Sequence, residues 1–281
     1  MAEVNSSLWQ VRPAAILGLL WACIAATMPL LAQAESGQRT INPLVATGNG
    51  LWIMEADGLR YVGAGKQTEI PLPSAMDGPG AFSVGADGVL YLAGRDVGLY
   101  RSIDNGASWS QLTNGLPDKG ITSVAAHSTL DNIVYVFVDG EGIFRSQDAG
   151  KTWSLVDAGP PEPILTFLHS NMPGSMETGW LFAGTGRGVA RSMDCFCLWS
   201  DAGEQRGEVT AMAYDRERPT LLYALFDGRL HHSRNGGEDW LAVAAPSDIT
   251  AVTVGTGGQV YLANNQGIYW QSGGHWERVD D

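Results

Sequence analysis

Four nine-residue stretches constrain this chain more than any other feature. "RSIDNGASW" (101–109), "RSQDAGKTW" (145–153), "RSMDCFCLW" (191–199) and "HSRNGGEDW" (232–240) share the pattern Ser-x-Asp-x-Gly-x-x-Trp, degraded in the last two copies. Their serines, Ser102, Ser146, Ser192 and Ser233, stand 44, 46 and 41 residues apart. A steady period near ~40 residues belongs to stacked repeats, in which one unit cannot bury its apolar face alone and packs on a copy of itself.

The flanks repeat as well. Each copy follows a glycine and a short apolar strand, "GLYRS", "GIFRS", "GVARS" or "GRLHHS". Upstream lie two more apolar runs per unit, such as "ITSVAAH" with "NIVYVFV" and "VTAMAYD" with "TLLYALF". With a last strand after the tryptophan, each unit has four antiparallel strands, which is a propeller blade. The glycines Gly58, Gly98, Gly142, Gly188, Gly228 and Gly267 mark the turn between second and third strands in six units. The sequence therefore predicts an all-β propeller of six blades between about Ile41 and Asp281, with five or seven as alternatives. The first and last units carry no full motif. The "WERV" run reads as the last blade's own final strand, and the short segment between Ala34 and Ile41 leaves little room for an added N-terminal one.

The motifs resemble the Asp-boxes of the bacterial neuraminidase repeat superfamily of β-propellers. That group includes sialidases, xyloglucan-cleaving enzymes, sortilin-type receptors and photosystem II assembly factors. The resemblance covers the second to fifth units well and the ends loosely. It implies that the motifs occupy turns between third and fourth strands, on the face away from the usual ligand site.

Physical chemistry reads the motif as a fastener. A tight reversal leaves backbone N–H groups without ladder partners, and an Asp or Asn side chain accepts them. Asp104, Asp148 and Asn235 suit that task, and the neutral Asn235 argues that no charge is needed there. Gly106, Gly150 and Gly237 supply positive φ. Trp109, Trp153, Trp199 and Trp240 are expected to fold over the turn and seal it against the blade. The third copy keeps Ser192, Asp194 and Trp199 but has Phe196 where glycine belongs, so a differently shaped turn is expected. Cys195 and Cys197 flank that residue as a local bridge or as two packed thiols.

The chain has 281 residues, 36 of them glycine and 10 tryptophan, with 44% apolar and 17% charged content. That balance favours short strands and tight turns over long amphipathic helices or disorder. A formal net charge of −13 repels phosphate backbones and anionic headgroups, which excludes nucleic acid as a partner class. The N-terminus carries "PAAILGLLWACIAATMPLLAQAES", apolar and uncharged from Arg12 to Glu35. It reads as a secretory signal, residues 1–34, cleaved after Ala34. An uncleaved anchor over residues 14–32 and a lipid attachment at Cys23 are the alternatives. All three export a single domain over residues 35–281 to the periplasm or the cell exterior, and any membrane contact runs through this segment alone.

The face opposite the motifs carries the turns between second and third strands and the crossings between blades. Candidate binding residues there are Asp57, Arg95, Asp96, Asp139, Glu141, Arg187 and Asp227. The resemblance implies a sialidase-like hydrolase as one reading, but a third arginine for a carboxylate clamp and the family's Arg-Ile-Pro stretch are absent. A neutral-sugar hydrolase needs two carboxylates at a set separation, with Asp139 or Glu141 facing Asp57 or Asp227. No nucleophile elbow or phosphate loop appears. The five histidines have no metal-ligand spacing beyond the adjacent His231 and His232, which point to opposite faces of a strand. No catalytic residue, metal or cofactor is assigned. The reading favoured by residues and resemblance together is an exported binding or assembly propeller for a protein segment or a polysaccharide, with glycoside hydrolysis as the alternative. A hydrolase calls for two or more titrating groups converging in a narrow pocket, a binder for a wider mouth without them.

Overall fold

A computed structural model describes residues 43–55, 58–76, 80–117, 120–196 and 198–279. They form six sheets of four antiparallel strands each, and every sheet is built from four strands consecutive in sequence. The blades span residues 44–70, 81–112, 121–157, 166–201, 209–242 and 251–278. Among the described residues the one helical element is a single 3-10 turn, Thr256–Gly258. The chain is a six-bladed β-propeller.

Burial within a blade follows from stacking. Second strands such as Val134–Val138 and Leu222–Phe226 are buried at every position, because neighbouring blades cover both of their faces. They read as continuous apolar runs rather than alternations, the pattern of a sheet covered on both sides. Outermost strands have no sheet beyond them and are short and exposed, as in Ser110–Leu112 and Leu241–Ala242. Six apolar clusters fill the six seams between blades. Among the described residues the ring closes without strand exchange. Ala46 of the first blade donates its backbone N–H to Thr253 Oγ1 of the sixth at 2.9 Å, and Ala126 donates to Ser83 Oγ of the second at 3.0 Å.

The motif turns join third to fourth strands. Serine and aspartate divide the turn's donors between them. In the second blade Gly106 N–H goes to Ser102 Oγ at 2.8 Å, while Ser108 N–H goes to Asp104 Oδ1 at 2.9 Å. The third blade repeats this with Gly150 to Ser146 at 2.7 Å and Thr152 to Asp148 at 2.8 Å. In the fifth, Gly237 bonds Ser233 at 2.8 Å and Asp239 bonds Asn235 at 3.0 Å. The motif serine is thus an acceptor in its own right. Gly106 and Gly150 lie at φ 83° and 89°, and a Cβ there would meet Ile70 or Leu112 of the preceding blade at 2.2 or 2.5 Å.

The tryptophans do more than cover their own turns. Trp109 donates its indole N–H to Pro71 O, Trp240 to Ala202 O and Trp276 to Ala244 O, all at 2.8 Å. Trp199 donates to Asp157 Oδ1 at 2.7 Å. Each of these acceptors lies at the end of the preceding blade's outermost strand or within two residues past it. Trp153 bonds Gly150 O of its own turn at 3.1 Å, yet it packs with Leu112 and Leu116 in the cluster between second and third blades. Each ring staples its blade to the one before it.

Candidate functional site

The first strands of all six blades line a central channel whose interior encloses about 150 Å³. Toward the face opposite the motif turns it widens into a mouth of about 460 Å³. The side chains around it include Phe82, Thr122, Ser123, Thr166, Thr210 and Arg95. Among the described residues Arg95 is the one charged side chain lining this mouth. Thr122 Oγ1 and Ser123 Oγ are buried there with no hydrogen-bond partner among the described residues, and a buried hydroxyl left unpaired is costly.

The candidate residues read from sequence are distributed around this face rather than gathered at one point. Arg95 Nη1 meets Asp139 Oδ2 at 3.1 Å, linking second and third blades, with both side chains exposed. Arg187 bonds Asp201 at 3.1 Å and Glu162 at 3.3 Å, and Arg206 reaches the same Asp201 at 2.9 Å. Asp227 lies at φ 48° and accepts the Glu208 N–H at 2.9 Å, so it clasps the crossing into its own blade. Asp96 and Glu141 are exposed turn residues. Asp57 lies outside the described residues, as do Cys197 and the 1–34 segment. Cys195 is disulfide-bonded, so its free-thiol alternative falls. No two carboxylates line the mouth among the described residues, and the acidic groups serve mainly as partners for arginines or for backbone.

Sequence reasoning missed a buried cluster on the motif side. His127 follows the first strand of the third blade, His169 sits in the first strand of the fourth, and Asp194 follows the third strand of the fourth. The two imidazoles stack with centroids 3.7 Å apart. His169 Nε2 faces Asp194 Oδ2 at 3.5 Å and His127 Nε2 lies 4.0 Å from it, with all three side chains buried. Thr178 donates both its N–H and its hydroxyl to Asp194. Burial works to raise the Asp194 pKa, but the facing His169 and the Thr178 donors outweigh it and hold the carboxyl at about 2. Burial, helped by the neighbouring His169, pushes His127 down to about 4, and burial likewise lowers His169. Two neutral imidazoles therefore face one carboxylate.

These three residues are the one group of potential metal ligands among the described residues, their ligand atoms within 4.8 Å of one another. The tautomers oppose that use. His127 Nδ1 accepts the N–H groups of Thr129 and Leu130 at 3.1 and 3.0 Å, and His169 Nδ1 accepts that of Ser128 at 3.2 Å. The network thereby assigns the ring protons to Nε2, whereas a ligating histidine donates from its other nitrogen. The cluster reads as a buried carboxylate held by the two Thr178 donors, with His127 Nε2 on the Thr178 hydroxyl at 2.8 Å and His169 Nε2 beside the carboxylate without a hydrogen-bond partner among the described residues. It replaces the ordinary motif turn, because with Phe196 at φ 56° Asp194 turns inward and bonds Thr178 instead of its own turn. Gly179 makes room for this, since a Cβ there would meet His169 Cε1 at 2.7 Å. The legible signals were Phe196 in the motif and two histidines ending first strands of adjacent units.

No protein-family model matches the chain, and no curated protein matches it in sequence. Solved structures do match in shape. The GH74 enzyme of Niastella koreensis has a TM-score of 0.57 at 14% identity, covering 84% of this chain and 46% of that one. The extracellular domain of the putative hybrid two component system BT4673 from B. thetaiotaomicron gives 0.58 at 11%, covering 87% and 34%. This chain thus spans less than half of either protein. YCF48, solved bound to a D1 peptide, gives 0.57 at 16%, covering 87% of this chain and 83% of that one. At these identities the likeness is one of propeller fold.

Proposed function

We propose that this protein is an exported, non-enzymatic propeller of the Asp-box kind that recognises a segment of another protein at the channel mouth opposite the motif turns. The composition of that mouth carries the reading. Apolar walls, the hydroxyls of Thr122, Ser123, Thr166 and Thr210, and one arginine tied to an aspartate suit holding an extended backbone. They do not suit acid–base chemistry, which needs two titrating groups in reach of one bond. The exposed carboxylates Asp96, Glu141 and Asp227 around the rim, with the net charge of −13, favour a segment carrying basic residues and speed its encounter. A neighbour of nearly equal length solved with a bound peptide and another that is an extracellular domain support a peptide ligand and export. Glycoside hydrolysis stays the alternative because GH74 enzymes share the fold.

The test is a peptide array carrying basic, neutral and acidic segments, probed with wild type and with a Thr210→Trp variant whose indole fills the mouth. Basic peptides are expected to bind wild type, and the variant, shown folded by its melting curve, to lose at least about tenfold in affinity. Equal binding by both proteins removes the mouth from consideration. Release of reducing sugar from a glycan panel by wild type replaces recognition with hydrolysis.

A further inference from the structure

Among the described residues, five of the six seams are stapled by a tryptophan of the following blade, and the sixth is not. In the second blade Trp109 precedes Ser110, which pairs with Arg101. The matching pair in the first blade is Tyr61 with Thr68, so Gln67 stands where the tryptophan would. The other wall corresponds too. Ile70, which lies against Gly106 and packs on the same cluster as Trp109, pairs with Leu59, and its counterpart in the sixth blade is Val279, bonded to Ile268. Gln67 and Val279 face each other across a groove of about 410 Å³ at this seam, with Leu51, Ile53, Val62 and Ile268 as its apolar walls. The seam's cluster contains no tryptophan.

The groove is open and has a polar demand. Val279 is 40% exposed. Arg60 lines the groove, its Nη1 on Gln67 Oε1 at 3.1 Å and its Nη2 on Glu55 Oε1 at 2.7 Å. Its Nε–H is buried and has no partner among the described residues. A backbone carbonyl is the natural acceptor for it, and an indole is what the same slot holds at the other five seams.

We propose that this groove docks a tryptophan side chain carried by a segment of a partner protein, which supplies the sixth staple from outside and gives a backbone carbonyl to Arg60. This slot lies on the blade seam, away from the channel mouth, so it stands or falls independently of the peptide-recognition reading.

The probe is N-acetyl-5-fluorotryptophanamide, titrated into the full chain and followed by 19F NMR. Wild type is expected to bind it saturably in about the millimolar range, as suits a fragment of that size. Gln67→Trp fills the slot from within, so binding weakens at least tenfold while Tm rises; Gln67→Phe serves as a second variant should the first misfold. Thr210→Trp binds as wild type does. No saturable binding to wild type overturns the proposal, as does unchanged binding to a folded Gln67 variant. Binding that fades as protein concentration rises assigns the slot to a second copy of this chain and also overturns it.

Discussion

Asp148 and Asn235 hold the same place in two copies of one turn and differ by a charge. Asp148 receives Thr152 hydroxyl and N–H, and Asn235 receives the Asp239 N–H while its own amide donates to Asp239 Oδ2 at 2.8 Å. The geometry thus tolerates a neutral side chain, but the carboxylates gain from their donors. The Ser108 and Thr152 hydroxyls, followed by the N–H groups of the same residues, hold Asp104 and Asp148 at about 2 against an ordinary 3.8. A carboxyl depressed in the folded state contributes stability above its unfolded pKa and loses it as pH falls toward the folded one. An Asp104→Asn, Asp148→Asn double variant should therefore fold normally at pH 7. Its shortfall against wild type in urea unfolding should shrink between about pH 4 and pH 2; a shortfall constant over that range contradicts these hydrogen bonds. The serine's part was not legible beforehand, because a hydroxyl in a turn motif serves as donor or acceptor depending on geometry that spacing does not record.

Among elements, the motif turn emerges as a device between blades. Its repetition, its glycines and its place after the third strand are all readable from "RSQDAGKTW". The direction in which its tryptophan points is not, because the preceding blade lies some forty residues away in sequence. Trp153 is the most buried of these rings, at 8% exposure, and packs against the second blade. Trp153→Ala should cost about 3–5 kcal/mol in chemical denaturation, through lost contacts and the cavity left. A cost below about 0.5 kcal/mol, the level of an ordinary surface site, would mean that the ring only caps its own turn. The third copy went the other way. Its aspartate left the turn to accept from Thr178 beside the stacked His127 and His169, a cluster across consecutive units that no spacing rule for ligands detects, since it arises from the stacking of blades.

For the whole molecule, period and patterning predicted the disc and its six blades of four strands each; the mode of closure came from the structure, where each blade brings four consecutive strands. The candidate site was legible only in outline. Sequence placed acidic turns on one face, but side-chain chemistry there depends on which charges meet across a seam. Arg95 with Asp139 and Arg187 with Asp201 and Glu162 neutralise groups that in sequence look free. The channel mouth was expected on this face, but its lining residues were not identified, because they are the opening residues of first strands, apolar and hydroxyl positions that resemble any other strand start. Recognition at this mouth is the central claim, and hydrogen exchange with a basic array peptide bound tests it most directly. Slowed exchange should concentrate at the amides of Phe82, Thr122, Thr166 and Thr210, with the motif turns unchanged. Protection confined to the motif turns or to the outermost strands would contradict it.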